Sequence, residues 1–235
     1  MRDCQKKIYG NRGNPALLEL VAANSRVLDC GCGAGDNARH LKLRGCRTVG
    51  ITVSSEEQKA ASTHCEQVFL ADLEGGIPAH IEGAFDFILL CHVLEHLVHP
   101  EIVLRDVHQL LSPQGRLAVA LPNVLFYPNR VRFLAGGFEY TQAGIMDETH
   151  VRFYTYATGR RLLEENGYRV LLAKGDGAFP LWKLRRLLRR TWVQRINASA
   201  CRRWPGLFGV QCLYLAASLR PAESQALHQV KLGLL

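Results

Sequence analysis

The sequence predicts an α/β fold, a mostly parallel sheet with helices on both faces. Short apolar runs alternate with amphipathic stretches along the chain, as in stacked βα units. A glycine triplet, Gly31, Gly33 and Gly35, follows one apolar run at once and precedes a helical pattern. The 235 residues are enough for one such domain with a real core. We therefore expect a single domain over residues 1–235, with a helical insertion before the last strand.

The elements follow in order. "SRVLDC" (25–30) reads as a buried strand, and the glycine loop comes next. "NARHLKLRG" (37–45) is helical and ends at Gly45; "RTVGIT" (47–52) is the second strand. "SSEEQKAASTHC" opens with Ser54 and carries Glu57 three residues later, a capping-box pattern for a helix. "QVFLAD" (67–72) and "FDFILLC" (85–91) are the third and fourth strands. "PEIVLRDVHQLL" (100–111) is a helix opened by proline and closed near "SPQG", and "GRLAVALPN" (115–123) is the fifth strand. "YATGRRLLEENG" (156–167) is a helix, "YRVLLAKG" a strand, and "FGVQCLYLAASL" (208–219) the last strand. Two stretches break the rhythm: residues 123–150, aromatic and loop-like, and the basic segment 178–205. Function often lives in such insertions on a regular scaffold.

Composition narrows the classes. Hydrophobic residues make up 48% of the chain, and no run reaches the length of a membrane span. The opening "MRDCQKKIYG" lacks the apolar core of a signal peptide, so we expect a cytoplasmic protein whose eight cysteines are reduced thiols. Cys30 and Cys32 form only a C-x-C pair, too little for a zinc site. The net charge of +8 is uneven. Residues 177–222 hold nine Lys or Arg and no acid, so the remainder has 20 basic and 21 acidic groups.

The glycine loop points to a nucleotide-like ligand. "VLDCGCGAGD" (27–36) puts its glycines just past a strand, where backbone N–H groups approach a ligand with no Cβ in the way. The spacing differs from the dinucleotide pattern, whose third glycine falls one residue later. No Tyr-x-x-x-Lys pair is present. A hydride-transfer enzyme is the weaker reading on both counts.

"VLDCGCGAGD", "FLADLE", "FDFILLCHVLEHL", "LLSPQGRLAVALPN" and "LLEENGYRV" resemble, in order and spacing, the class I S-adenosylmethionine-dependent methyltransferases. The likeness spans about residues 8–175. It implies a Rossmann-like seven-stranded sheet with the last strand antiparallel, and S-adenosyl-L-methionine as cofactor. By that resemblance Asp29, Gly31, Cys32, Gly33 and Gly35 cradle the methionine part. Asp72 accepts from the adenine amino group and Leu73 lies against the ring. Cys91 and His92 form the lip beside ribose and sulfonium, and Tyr9 lies in a segment folded over the cofactor.

One position departs from the family. Most members carry an acid at the tip of strand two, where this chain has Thr52. "GITVSSEEQ" resembles a variant seen in cyclopropane-fatty-acid synthases, in which threonine and a polar residue of the next helix share the ribose. That resemblance assigns the ribose to Thr52 and Glu57. The simpler reading is that Glu57 only caps its helix.

For the chemistry, an oxygen acceptor benefits from a general base. "HVLEH" (92–96) matches the inverted zinc-protease pattern, but it abuts a buried strand where the family has "LEHL", so no metal is expected. "MDETHVRFYTY" resembles methyltransferases of cell-surface polysaccharide and natural-product pathways, and places His150 at the pocket mouth. His150 is the first candidate for general base and His92 the second; a purely anchoring role for His150 stands beside them. Asp147 would orient His150, and Tyr154 and Phe126 would wall the acceptor. The expected function is O-methylation of a small-molecule or glycan-type acceptor. Carbon methylation or cyclopropanation of a lipid, and a catalytically silent cofactor-binding module, are the alternatives. "LWKLRRLLRRTW" has Leu181, Leu184, Leu188 and Trp192 on one helical stripe. A packed helix with a solvated basic face is the plain reading. An anionic membrane surface or lipid-linked acceptor met by 181–203 is the alternative, with nucleic acid behind it.

Overall fold

The computed structural model describes residues 12–180 and 189–219. The strands are β1 (Arg26–Cys30), β2 (Arg47–Thr52), β3 (Gln67–Leu70), β4 (Phe85–Cys91), β5 (Leu111–Pro122), β6 (Tyr168–Gly177) and β7 (Gly209–Ser218). They form one sheet in the order β3-β2-β1-β4-β5-β7-β6. β1 to β5 run parallel, and β7 is antiparallel to both of its neighbours. The expected seven strands and the antiparallel last strand are both present.

The period of two in the strand sequences explains why both faces are covered. Leu28, Ile88, Leu90, Leu117, Val119 and Leu121 face one core, with Leu104 and Leu163. Val27, Leu89, Ala118 and Ala120 face the other, with Leu17, Leu18 and Leu41. The first core is covered by α4 (Pro100–Leu110) and α6 (Tyr156–Glu165), the second by α1 (Pro15–Leu18) and α2 (Asp36–Lys42). α3 (Ser55–Ala61) joins β2 to β3. Leu90 is fully buried, and trimming such a residue to alanine costs about 2–5 kcal/mol.

Three boundaries differ from expectation. Leu111 already pairs with Phe85, and pairing resumes at Arg116 opposite Phe87, so "SPQG" is a bulge inside β5 rather than a linker before it. Residues 123–150 are not all loop, because Tyr127–Leu134 form helix α5. Pro128 fits its first turn, but none of its residues is buried, so no apolar stripe marked it. The expected stripe Leu181, Leu184 and Leu188 lies outside the described residues. The helix that is described there, α7, runs Arg190–Arg203, followed by α8 (Pro205–Phe208). α7 buries Ala200 and Cys201 against Phe208 and leaves Trp192 exposed. Among the described residues no helix is long and apolar enough to cross a membrane.

Candidate functional site

The carboxyl ends of β1, β2 and β4 bring most of the expected residues to one edge of the sheet. Asp29, one residue from the end of β1, is fully buried, and among the described residues neither of its oxygens makes a well-formed hydrogen bond, with only a looser contact to the Asn37 side chain. Burial pushes its pKa up to about 7, with the side chain of Asn37 pulling the other way. Gly31, Gly33 and Gly35 have φ of 76°, 53° and 85°, a region that disfavours other residues. A Cβ on Gly31 would come within 2.6 Å of Val93 Cγ2, and one on Gly35 within 2.9 Å of Ala61 Cα.

The loop differs from expectation in one respect. The N–H groups of Gly31 and Cys32 both donate to Ile51 O, and that of Gly35 donates to Cys32 O. These donors are spent inside the fold. The thiol of Cys32 turns inward against Gly50 and Cys65, and its pKa is raised by the hydrogen bond with Cys65 and by burial.

At the end of β2, Thr52 and Glu57 are both buried, and the threonine hydroxyl donates to Glu57 Oε2 at 2.7 Å. The capping box is half made. Ser54 Oγ accepts from Glu57 N, while Ser54 N donates to Thr52 Oγ1. The carboxylate has therefore reached back to the strand tip, the place from which the family's acid is missing. Asp72 is exposed and its Oδ1 accepts from Glu74 N; Leu73 beside it is buried.

After β4 the chain turns sharply. His92 has φ 56°, uncommon for a residue with a side chain. Its Nδ1 lies 3.2 Å from Glu95 Oε1 and its Nε2 3.0 Å from Gln211 Oε1. Gln211 donates through Nε2 to Asp176 and Asn14, so its oxygen is the atom turned to His92. Burial pushes the His92 pKa down, but the hydrogen bond and charge of Glu95, with Gln211, pull it up further, and the balance is upward. Glu95 itself is fully buried, whereas the His92 side chain is 41% exposed. Cys91 is half-buried, accepts from Asn14 Nδ2, and burial raises its pKa to about 12.

His150 sits differently. It is buried at the 9% level, its Nδ1 lies 3.1 Å from Ile145 O, and its ring meets His96 edge-on at 4.8 Å. Burial lowers its pKa. Asp147 Oδ1 accepts from the backbone and hydroxyl of Thr149, so the hydrogen bond expected to orient His150 goes to Thr149, and Ile145 holds the ring. Tyr154 is buried with an unpartnered hydroxyl, its pKa raised to about 12 by burial; Phe126 stacks edge-on with Tyr127. Tyr9 lies outside the described residues. The zinc-protease reading of "HVLEH" has no helix to stand on: only Leu94–His96 form a 3-10 turn.

Asn14 and Gln211 escaped the sequence reading. Their side chains pair reciprocally across 197 residues, and no local pattern announces such a bond. The only trace is Gln211 itself, a polar residue in an apolar strand.

Residues 9–173 match the profile of a family described as a methyltransferase domain. A ubiquinone biosynthesis O-methyltransferase of Chromobacterium violaceum is 28% identical over 79% of this chain and 84% of its own length. A tRNA 5-carboxymethoxyuridine methyltransferase of Escherichia coli O157:H7 is 28% identical over 66% of each chain. A solved SAM-dependent methyltransferase of Archaeoglobus fulgidus superposes with a TM-score of 0.58 at 19% identity, covering 90% of this chain and 96% of that one. Orphaned carboxylate oxygens at Asp29, beside a loop that a Cβ would obstruct, suit a cationic amino-acid ligand. With its Rossmann-like sheet and this profile match, the chain belongs to the methyltransferase-domain family and is a class I S-adenosylmethionine-dependent methyltransferase.

Proposed function

We propose that the protein methylates an oxygen of a small-molecule acceptor, with His92 as general base and Glu95 as the group that orients it. The hydrogen bond between a buried Glu95 and a solvent-facing His92 at the tip of β4 carries this reading. His150, the first candidate from sequence, gives way because it is packed against His96 and turned to a backbone carbonyl.

When bound, S-adenosylmethionine supplies an electrophilic methyl carbon. Asp29 would take the ammonium group, since among the described residues its buried oxygens make no well-formed hydrogen bond. The acceptors the ligand needs thus come from Asp29 and the loop, whose N–H groups at Gly31, Cys32 and Gly35 are already used. Thr52 and Glu57 would hold the ribose hydroxyls, and Asp72 and Leu73 the adenine. Cys91 and His92 line the approach to the methyl group. At rest His92 Nε2 donates to Gln211 Oε1, so it first releases that proton to solvent; an acceptor hydroxyl then takes the place of Gln211 Oε1 and gives up its proton to the freed Nε2. Glu95, at Nδ1, stabilises the imidazolium that results.

The test is methyl transfer from labelled S-adenosylmethionine to phenolic and aliphatic hydroxyl acceptors, with bulk tRNA in a parallel arm. Label in an ether or ester product, lost in His92→Gln, supports the reading. Label in tRNA alone would replace the small-molecule acceptor with RNA. Cofactor binding without transfer to any acceptor would leave a silent binding module.

A further inference from the structure

Behind His92, one carboxylate and two imidazoles meet. One ligand atom from each of Glu95, His96 and His150 lies within 4.8 Å of the other two. Glu95 is fully buried; its Oε1 faces His92, and its Oε2 has no hydrogen-bond partner among the described residues. His96 Nδ1 lies 3.2 Å from Thr149 Oγ1 and 3.4 Å from Thr149 O. The Thr149 hydroxyl is already donated to Asp147 at 2.7 Å, so it only accepts from His96, and Nδ1 carries the proton. His150 Nδ1 faces the Ile145 carbonyl at 3.1 Å and carries its proton for the same reason. Each neutral ring is left with a bare Nε2 lone pair.

We propose that Glu95, His96 and His150 bind a divalent cation of the zinc class, through Glu95 Oε2 and the two Nε2 atoms. Two imidazoles and one carboxylate are a donor set that suits zinc and leaves a fourth position open. The surroundings support it. Metal-binding histidines usually donate their other N–H to a carbonyl or a carboxylate-linked group. Here Ile145 O stands behind His150, and the Thr149–Asp147 pair stands behind His96. Zinc–ligand bonds of about 2.0–2.2 Å put ligand atoms roughly 3.3 Å apart, so ligand atoms spread over no more than 4.8 Å need only a small inward adjustment to reach that spacing. The histidines assembled are not His92 and His96 of "HVLEH" but His96 and His150, 54 residues apart in the sequence. The ion would lie on the Glu95 side of His92, opposite the acceptor that meets Nε2, and its binding does not depend on the O-methylation reading.

The experiment uses the full chain stripped with chelator and titrated with Co²⁺ and then Zn²⁺. Eight cysteines offer a rival site, so the cobalt spectrum decides between donor sets. One ion per chain is expected, with visible ligand-field bands and no thiolate charge-transfer band. His96→Gln and His150→Gln should each abolish that signal. Thr149→Val, which keeps all three ligands, should weaken binding about 10- to 100-fold and guards against variants that fail to fold. Calorimetry with S-adenosylmethionine, run on the same samples, tests the methyltransferase separately. No bound ion, a thiolate spectrum, or one ion whose affinity is the same in all three variants overturns the proposal.

Discussion

The two halves of the sheet edge hold their polar groups in opposite ways. On the β1–β2 side, buried carboxylates sit on or beside strands: Asp29 with no well-formed hydrogen bond among the described residues, Glu57 hydrogen-bonded to Thr52 five residues away. Beyond β4, Glu95, His92, His96 and His150 come from turns and loops, and their partners lie up to 119 residues away in sequence. The first half is fixed by sheet register and waits for a ligand. The second is held together by its own hydrogen bonds, one of which the proposed mechanism has to open.

That contrast sets the sizes of the expected effects. His92→Gln should lower turnover about 10²- to 10⁴-fold while leaving cofactor affinity nearly unchanged, as read by labelled-methyl transfer and calorimetry. Equal losses in both would move His92 to the cofactor half. Asp29→Asn should act on stability in the absence of ligand. A carboxyl whose folded pKa is raised from 3.8 to about 7 keeps its proton in the folded state while the unfolded chain has lost it. Stability is therefore lost as pH rises from about 4 to about 7, and the deficit reaches about 4 kcal/mol above that window. The Asp29→Asn substitution removes this slope, so melting curves of the two proteins should diverge with rising pH, the variant being the more stable. Parallel curves would mean that Asp29 is ionised and partnered.

Smaller effects test the edges of each half. Asp72→Ala should weaken cofactor binding about tenfold to hundredfold, the loss of about 1–3 kcal/mol. Glu57→Ala should weaken it more than it lowers the melting temperature; a fall in stability alone would leave Glu57 as a cap. The smallest change is expected from replacing Arg185, Arg186, Arg189 and Arg190 by glutamine. Cofactor affinity should stay unchanged, while any preference for anionic vesicles, measured by co-sedimentation across a salt series, should vanish. Equal partitioning of both proteins would discard the membrane surface as a partner.

The same contrast explains what could be read from the sequence. Asp29, Thr52 and Asp72 are strand-tip residues, and strand ends follow from a period-two apolar pattern broken by glycine or acid. Helix capping made the Ser54–Glu57 spacing of three legible, whereas pairing Glu57 with Thr52, five residues away, came from the resemblance of "GITVSSEEQ" to a ribose-holding variant. His92 was found but ranked below His150, because exposure, a positive φ and a partner at Gln211 leave no local trace. Helix α5 was missed for want of a buried stripe, and "SPQG" read as a linker because a bulge and a turn use the same residues. The Glu95–His96–His150 cluster depends on two loops meeting, which no spacing encodes.

The place of β7 has a consequence for the order in which the enzyme is completed. It is the last strand of the sheet in sequence, yet it lies between β5 and β6, and its Gln211 holds Asn14, Asp176 and His92. A nascent chain leaves the ribosome N-terminus first. The glycine loop, Thr52 and His92 are therefore all made before the residue that clamps His92 exists. Until residues 209–218 slide into their gap, β6 has no pairing neighbour and Asn14 lacks its Gln211 partner. The half that receives the cofactor is therefore made first, and the half to which the proposal gives the chemistry is closed only once β7 has been made.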